Sequence, residues 1–212
     1  MTQWLSQFTR NTHDPYGFGY ACAYSNGRPT PISGHRGLIH STEGSSLPNY
    51  QGGKVNPNFT VDPWRKRRYQ HVPADIASRA TMANNDKFVQ IEIIGFCDLA
   101  YATKYGMEKY YLEKMGADEL AYIAESLAII GAANGIPTTS GVTWEAYPKS
   151  AWADNTVRLS QAQLNGYSGW LGHQHAPKPD IHGDPGQWPH TMNLMAAMRG
   201  NHVCRCSSLP NA

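Results

Sequence analysis

The sequence predicts a single domain of α/β or α+β class, built around one sheet. Three observations carry that expectation. Phe88–Gly95 alternates as a strand does, with Val89, Ile91 and Ile93 on one face and Gln90, Glu92 and Ile94 on the other. Asp118–Asn134 places Leu120, Ile123, Ala124, Leu127, Ala128 and Gly131 at three- and four-residue steps, the period of a helix with one buried face. Strand-like and helix-like stretches interleave along 212 residues, a length that fits one large domain better than two.

Taken in order, Tyr16–Tyr24 alternates aromatic and small residues and reads as a strand or hairpin arm, with Asn26-Gly27 as its turn signal. Arg36–Thr42 reads as a short buried strand that carries His40 near its end, and Glu43-Gly44-Ser45-Ser46 breaks it. Residues 47–58 form a loop, Phe59–Val61 a strand and Tyr69–Val72 another. Pro73 suits the first position of a helix running to about Ala83. Asp118 and Glu119 favour the positive end of the long helix, and Gly135 and Pro137 stop it. Thr139–Tyr147 reads as extended, Leu159–Leu164 as a short helix, and Trp188–Met198 as a final helix.

Composition narrows the function. The 41% hydrophobic content supports a proper core. A net charge of +2 gives no electrostatic case for nucleic acid. Arg65-Lys66-Arg67-Arg68 is the one basic run, and it reads either as a solvated turn or as a contact to an anionic polymer. Cys22, Cys97, Cys204 and Cys206 are too few for a disulfide scaffold and read as free thiols; His202-Val-Cys-Arg-Cys206 lacks the second half of a metal motif. The N-terminal stretch shows no secretory signal, and no apolar run is long enough to span a membrane.

The densest chemistry lies in Gly172–Gly186, which holds three histidines and two aspartates among prolines and glycines. Pro177, Pro179 and Pro185 exclude a helix. Imidazole and carboxylate are zinc ligand types, and a proline-stiffened backbone lowers the cost of ordering them. The competing reading is a polar surface loop. His40 alone reads as a structural histidine or as a group projecting into a pocket. Glu92, flanked by Ile91 and Ile93, either borders a cleft or faces solvent; burial would raise its pKa toward the range of a general acid or base.

Together, Leu38-Ile-His-Ser-Thr-Glu-Gly44, Val89-Gln-Ile-Glu-Ile-Ile-Gly95 and the Gly172-His173 to Asp184-Pro-Gly186 loop resemble, in that order, the zinc-dependent type 2 N-acetylmuramoyl-L-alanine amidases. These share a fold with peptidoglycan-recognition proteins. The wording His40-Ser-Thr-Glu-Gly-Ser-Ser-Leu-Pro-Asn-Tyr50 is most similar to amidase domains of endolysins from phages of actinobacteria. The resemblance implies an α/β domain with a central mixed sheet flanked by helices over 36–200, an N-terminal extension over 1–35 packed on it, and a tail over 201–212. It implies Zn²⁺ held by His40, His173 and Asp184, with a fourth position left for water, and Glu92 as the proton shuttle. Many members carry Lys two residues before the last ligand, to stabilise the oxyanion. Here His182 stands there, able to donate a hydrogen bond but with a pH-dependent charge. Glu43 is a rival acid at the cleft rim, and His35 and His175 are spare imidazoles.

The implied activity is hydrolysis of the amide between N-acetylmuramic acid and L-alanine of the stem peptide, with peptidoglycan as partner and no stable membrane insertion. A phage lysin of this kind waits in the host cytoplasm until a membrane pore releases it to the cell wall. The alternatives are a non-catalytic peptidoglycan-binding module and a zinc peptidase cutting within the stem peptide.

Overall fold

The computed structural model describes residues 3–11, 24–25 and 28–187. Its strands are β1 (Thr9–Arg10), β2 (Tyr24–Ser25), β3 (Arg28–Pro29), β4 (Arg36–Ser41), β5 (Phe59–Asp62), β6 (Arg67–Gln70), β7 (Val89–Ile93) and β8 (Gly169–Gly172). Its helices are a single turn α1 (Tyr50–Gly53), then α2 (Leu99–Lys104), α3 (Ala117–Asn134) and α4 (Gln161–Gly166). Six strands form one mixed sheet in the order β1-β6-β5-β7-β4-β8, in which only the β5–β6 pair is antiparallel. β2 and β3 pair antiparallel on either side of Asn26-Gly27, which lie outside the described residues. The sheet with its helices is the predicted α/β architecture.

The alternation of β7 assigns the two faces. Val89, Ile91 and Ile93 join Ile39, Phe59, Val61 and Trp170 in the main core, under Ile123, Leu127 and Ile130 of α3. The opposite face carries a smaller cluster of Leu38, Phe88, Leu164 and Leu171, which α4 covers. Helix α3 forms where its apolar period predicts. The Glu119 carboxylate accepts from the Gly116 N–H at its start (3.0 Å), and Gly135, in the left-handed region (φ 63°), ends it. Helix α4 begins with a reciprocal cap: the Ser160 hydroxyl accepts from the Gln163 N–H (3.2 Å), and the Ser160 N–H donates to the Gln163 side chain (2.8 Å). Arg36, buried at the start of β4, donates to the Asn165 and Tyr167 carbonyls (2.9 Å each) and so ties α4 to the sheet.

Several elements differ from the sequence expectation. The helix from Pro73 to Ala83 does not form; turns and bends replace it. Its backbone groups are taken by distant partners: Ala74 N–H donates to Gln3 O, Ala77 N–H to Thr30 O, and the Asn58 side chain donates to the Pro73 and Ile76 carbonyls. Tertiary hydrogen bonds thus replace the helical ladder. Conversely, Gly169–Gly172 is a fully buried strand at the end of the sheet that alternation does not announce, with glycine at both ends. It pairs because Gly37 on β4 leaves room for the Trp170 ring; a Cβ at Gly37 would lie 2.4 Å from that ring. The strand expected at Tyr69–Val72 also shifts, to Arg67–Gln70 at the end of the basic run. There Arg68 bonds Glu125 (2.6 Å) and Ser126 (2.7 Å), and Arg65 pairs with Asp62 (3.0 Å). Thr139–Tyr147 contains no strand. The expected Trp188–Met198 helix, Cys22, Cys204 and Cys206, and most of the Tyr16–Tyr24 arm lie outside the described residues.

Candidate metal centre

β7, β4 and β8 run parallel, so their carboxyl ends meet at one edge of the sheet, the edge at which open α/β sheets bind ligands. His40 and Glu92 are register partners near the ends of β4 and β7, and Ile39 pairs with Gly172, which places His173 beside His40. All three residues follow the pleat away from the main core. After β8 the chain makes one 3₁₀ turn (His173–His175) and a proline-bounded loop that returns Asp184 to the same place.

The sequence could not show what holds that loop. Gln174, fully buried, accepts from the Glu145 N–H (2.8 Å) and donates to the Gly186 carbonyl (2.6 Å), while its own N–H donates to the Asp184 carbonyl (3.0 Å). Ser150 Oγ donates to Gly183 O (2.7 Å). Arg158 gathers the carbonyls of Ala176, Asp180 and His182. His175 is structural: Nε2–H donates to Thr143 O (2.8 Å), which leaves Nδ1 to accept from the Gly172 N–H (2.9 Å). Burial pushes this imidazole down to about 4, consistent with a neutral ring in that role. His35 stays exposed, 3.0 Å from the Asn134 carbonyl.

His40, His173 and Asp184 each offer a ligand atom within 4.8 Å of the others. His40 Nδ1 lies 3.3 Å from Asp184 Oδ2, and His173 Nδ1 lies 3.2 Å from Asp184 Oδ1. Tetrahedral zinc with bonds of about 2.0–2.2 Å separates neighbouring ligand atoms by roughly 3.3–3.6 Å, so the donor set fits the ion in chemistry and spacing. Burial disfavours charge on Asp184, but His173 and His40 outweigh it and hold the carboxyl well below its usual range. Burial likewise opposes charge on His173, yet Asp184 and Asp180 beside it raise the ring to about 9. Burial and the neighbouring His173 lower His40. A divalent cation on these atoms would take the place of the imidazole protons.

Behind the triad stands a carboxylate that the sequence pattern does not single out. Asp180 Oδ1 is 3.6 Å from His173 Nε2, and the same carboxylate accepts from the Met82 (2.8 Å) and Ala83 (3.4 Å) N–H groups. It is buried, and it joins the ligand loop to the 82–83 segment. Its presence in Gly172–Gly186 is legible in the sequence, but its orientation behind His173 depends on the fold.

Glu92 lines the cleft in front of the triad, and its Oε2 is buried without a hydrogen-bond partner among the described residues. Burial pushes the carboxyl up, Asp184 adds to the effect, and His173 offsets part of it, leaving about 8. Thr60 is its register partner on β5. From Thr60 a buried chain runs to Tyr50 (2.6 Å) and to His71 Nε2 (2.8 Å), whose Nδ1–H donates to Asn11 O (2.9 Å). Glu43 is committed elsewhere: Ser41 Oγ (2.7 Å) and Cys97 N–H (2.8 Å) both donate to its Oε1. Those bonds tie the end of β4 to the loop after β7, although Glu43 lines the cleft too. His182 lies at the mouth with 59% of its side chain exposed, its ring stacked on His173 (centroids 4.6 Å apart) and 3.8 Å from Asp184.

The cleft of about 720 Å³ over these residues also presents Cys97, Asp98, Tyr101 and Tyr147. A second, adjoining cleft of about 570 Å³ shares Glu92, His173 and His182 with it and extends past Tyr50, Gln51 and Arg79. The candidate metal centre thus sits where two arms of one groove meet. No helix among the described residues is long and apolar enough to cross a membrane.

No family model matches the chain, and no curated protein sequence does. Several solved structures are similar to it, among them these three. The Staphylococcus aureus hydrolase AmiA, solved with its ligand, matches at 16% identity over 99% of this chain and 89% of its own, with a TM-score of 0.50. A point mutant of PlyL matches at 11% identity over 91% and 98%, with a TM-score of 0.49. The PlyG catalytic domain matches at 14% identity over 97% and 98%, with a TM-score of 0.44. At these identities the likeness to AmiA is one of fold, that of a mixed sheet with helices on both faces.

Proposed function

We propose that the chain is a zinc-dependent N-acetylmuramoyl-L-alanine amidase, a peptidoglycan hydrolase of the phage endolysin kind. The observation that carries this reading is the convergence of two imidazoles, one carboxylate and one separate carboxyl group, Glu92, at the carboxyl edge of three parallel strands. His40, His173 and Asp184 would hold the zinc. When bound, the metal supplies Lewis acidity, polarising the scissile carbonyl and making water nucleophilic near neutral pH.

The side chains supply the rest. Glu92 accepts a proton from the attacking water and returns one to the leaving amine. In the metal-free site burial raises this carboxyl to about 8; a divalent cation on the neighbouring ligands would lower it and so favour the carboxylate that the first step needs. His182 at the mouth donates to the developing oxyanion. The resemblance in sequence supports the choice of bond and the endolysin role, which includes residence in the host cytoplasm until release. It also supports a catalytic unit at 36–200 with 1–35 as an extension and 201–212 as a tail. A binding module would need neither a complete donor set nor an elevated acid, so the site favours an enzyme.

Mass spectrometry of digested peptidoglycan tests the reading. Intact glycan strands and stem peptides with a new L-alanine amino terminus are expected. New reducing ends on the sugars, or cuts within the peptide, would assign the site to another hydrolase class.

A further inference from the structure

The two arms that meet at the metal centre differ in charge. The arm over Cys97 and Tyr147 is lined by Glu43 and Asp98 in addition to Glu92 and Asp184, and by no lysine or arginine among the described residues. The other arm holds one such cation, Arg79, and its only acid is the shared Glu92. Among the described residues the exposed Arg79 guanidinium has no hydrogen bond or ion pair. Arg36, Arg65, Arg68 and Arg158, by contrast, are spent on structure, each binding carbonyls, hydroxyls or carboxylates.

The backbone around Arg79 is fixed relative to the metal ligands. Its own N–H donates to Asn56 O (3.0 Å), and three residues on, Met82 N–H donates to Asp180, the carboxylate that stands behind His173. Across the arm, Tyr50 and Gln51 are held at positive φ (50° and 54°), a conformation costly for residues with side chains and concentrated at ligand sites. That turn brings the Gln51 amide, a neutral donor, to line the same arm as the guanidinium.

We infer that the Arg79 arm is the subsite for the peptide side of the scissile amide, and that Arg79 pairs with a free carboxylate on the residue following the L-alanine. The inference rests on the amidase reading given above. A guanidinium with all its donors available matches a carboxylate in charge and in its two-pronged geometry. The acidic arm would repel that carboxylate, and its tyrosines suit the uncharged sugar. The arms therefore set which way the substrate lies across the metal centre.

The test uses two synthetic muramyl dipeptides that differ only in carrying a carboxylate or a carboxamide on the second residue. Their binding to the zinc-loaded Glu92→Gln protein, in which the bond is not cut, is measured by calorimetry. The carboxylate form is expected to bind about five- to tenfold more tightly, the range of one charge-assisted hydrogen-bonded contact at a partly exposed site. That preference should shrink with added salt. Introducing Arg79→Gln should bring the two affinities together, and Arg79→Glu should reverse their order. Equal binding with Arg79 in place, or a preference that survives Arg79→Gln, overturns the assignment while leaving the amidase reading intact. Binding of neither ligand counts against the amidase reading itself, and the subsite falls with it.

Discussion

His40 and Glu92 are register partners on adjacent parallel strands, so a proposed metal ligand and a proposed proton carrier project side by side from one face of the sheet. That relationship does not depend on a flexible loop. It follows from the period of two residues in each strand and from the pairing of Ile39 with Ile91 one position earlier. Slipping the β4–β7 register by one residue would move Glu92 away from His40 and expose the apolar set of β7 together. Core packing and site geometry are therefore selected by the same pairing.

If His40, His173 and Asp184 hold zinc, the purified protein should carry one zinc per chain, and His173→Ala should lose metal and activity together. Elemental analysis checks this. Full zinc content in the variant would remove His173 from the ligand set.

Gly37→Ala should destabilise the fold by about 1–3 kcal/mol, because the added methyl overlaps the buried Trp170 ring. The partner variant Trp170→Leu frees that space at its own cost. In a double-mutant cycle followed by thermal melting, the pair should be less destabilised than the sum of the two. Strict additivity would show that the close approach is not what limits residue 37.

The elements that the sequence displays are those whose signal is local. Helix α3 repeats its apolar face over 18 residues, and β7 alternates without interruption, so both lie where the pattern puts them. His40, Glu92, His173 and Asp184 are nameable because chemistry-bearing residues in a fixed order resemble a family. Their convergence on one sheet edge is a property of the topology. What stays hidden depends on partners far along the chain. The 73–83 segment has helix-compatible residues, yet Gln3, Thr30 and Asn58 capture its backbone groups. β8 packs against β4 with Trp170 seated over Gly37, a fit that neither stretch shows alone. Asp180 and Gln174 look like ordinary loop residues until the fold points one at His173 and the other at Glu145 and Gly186.

Asp180→Asn tests the carboxylate behind His173. Asparagine preserves an acceptor for the Met82 N–H but removes the negative charge 3.6 Å from His173 Nε2. Carboxylates that orient a metal-bound imidazole contribute about 10–100-fold to metal affinity. Competition with a chromophoric chelator should show zinc binding weakened within that range, while the zinc-saturated variant keeps most of its activity. Unchanged zinc affinity would restrict Asp180 to holding the 82–83 segment.

Glu92→Gln separates chemistry from structure. Glutamine is nearly isosteric but does not take up the proton, and a positioned proton carrier contributes about 10²–10⁴-fold to rate. Activity should therefore fall at least about a hundredfold while zinc content stays at the wild-type level. The stability of the metal-free proteins gives a second readout with a definite sign. Glu92 has its folded pKa raised to about 8, above its ordinary value near 4.5. Between those two values the folded state retains a proton that the unfolded chain has released, so wild-type stability falls as pH rises through this window. The glutamine variant has no proton to lose at this position. The two proteins should melt alike below about pH 4.5, and the variant should become progressively more stable than wild type up to about pH 8, where the difference levels off. Melting curves across pH 4–9 in the presence of chelator measure this directly. A variant that is less stable than wild type at pH 8 would mean that Glu92 is held charged in the metal-free fold. A variant that keeps most of its activity, beside an inactive Glu43→Gln, would transfer the proton shuttle to Glu43.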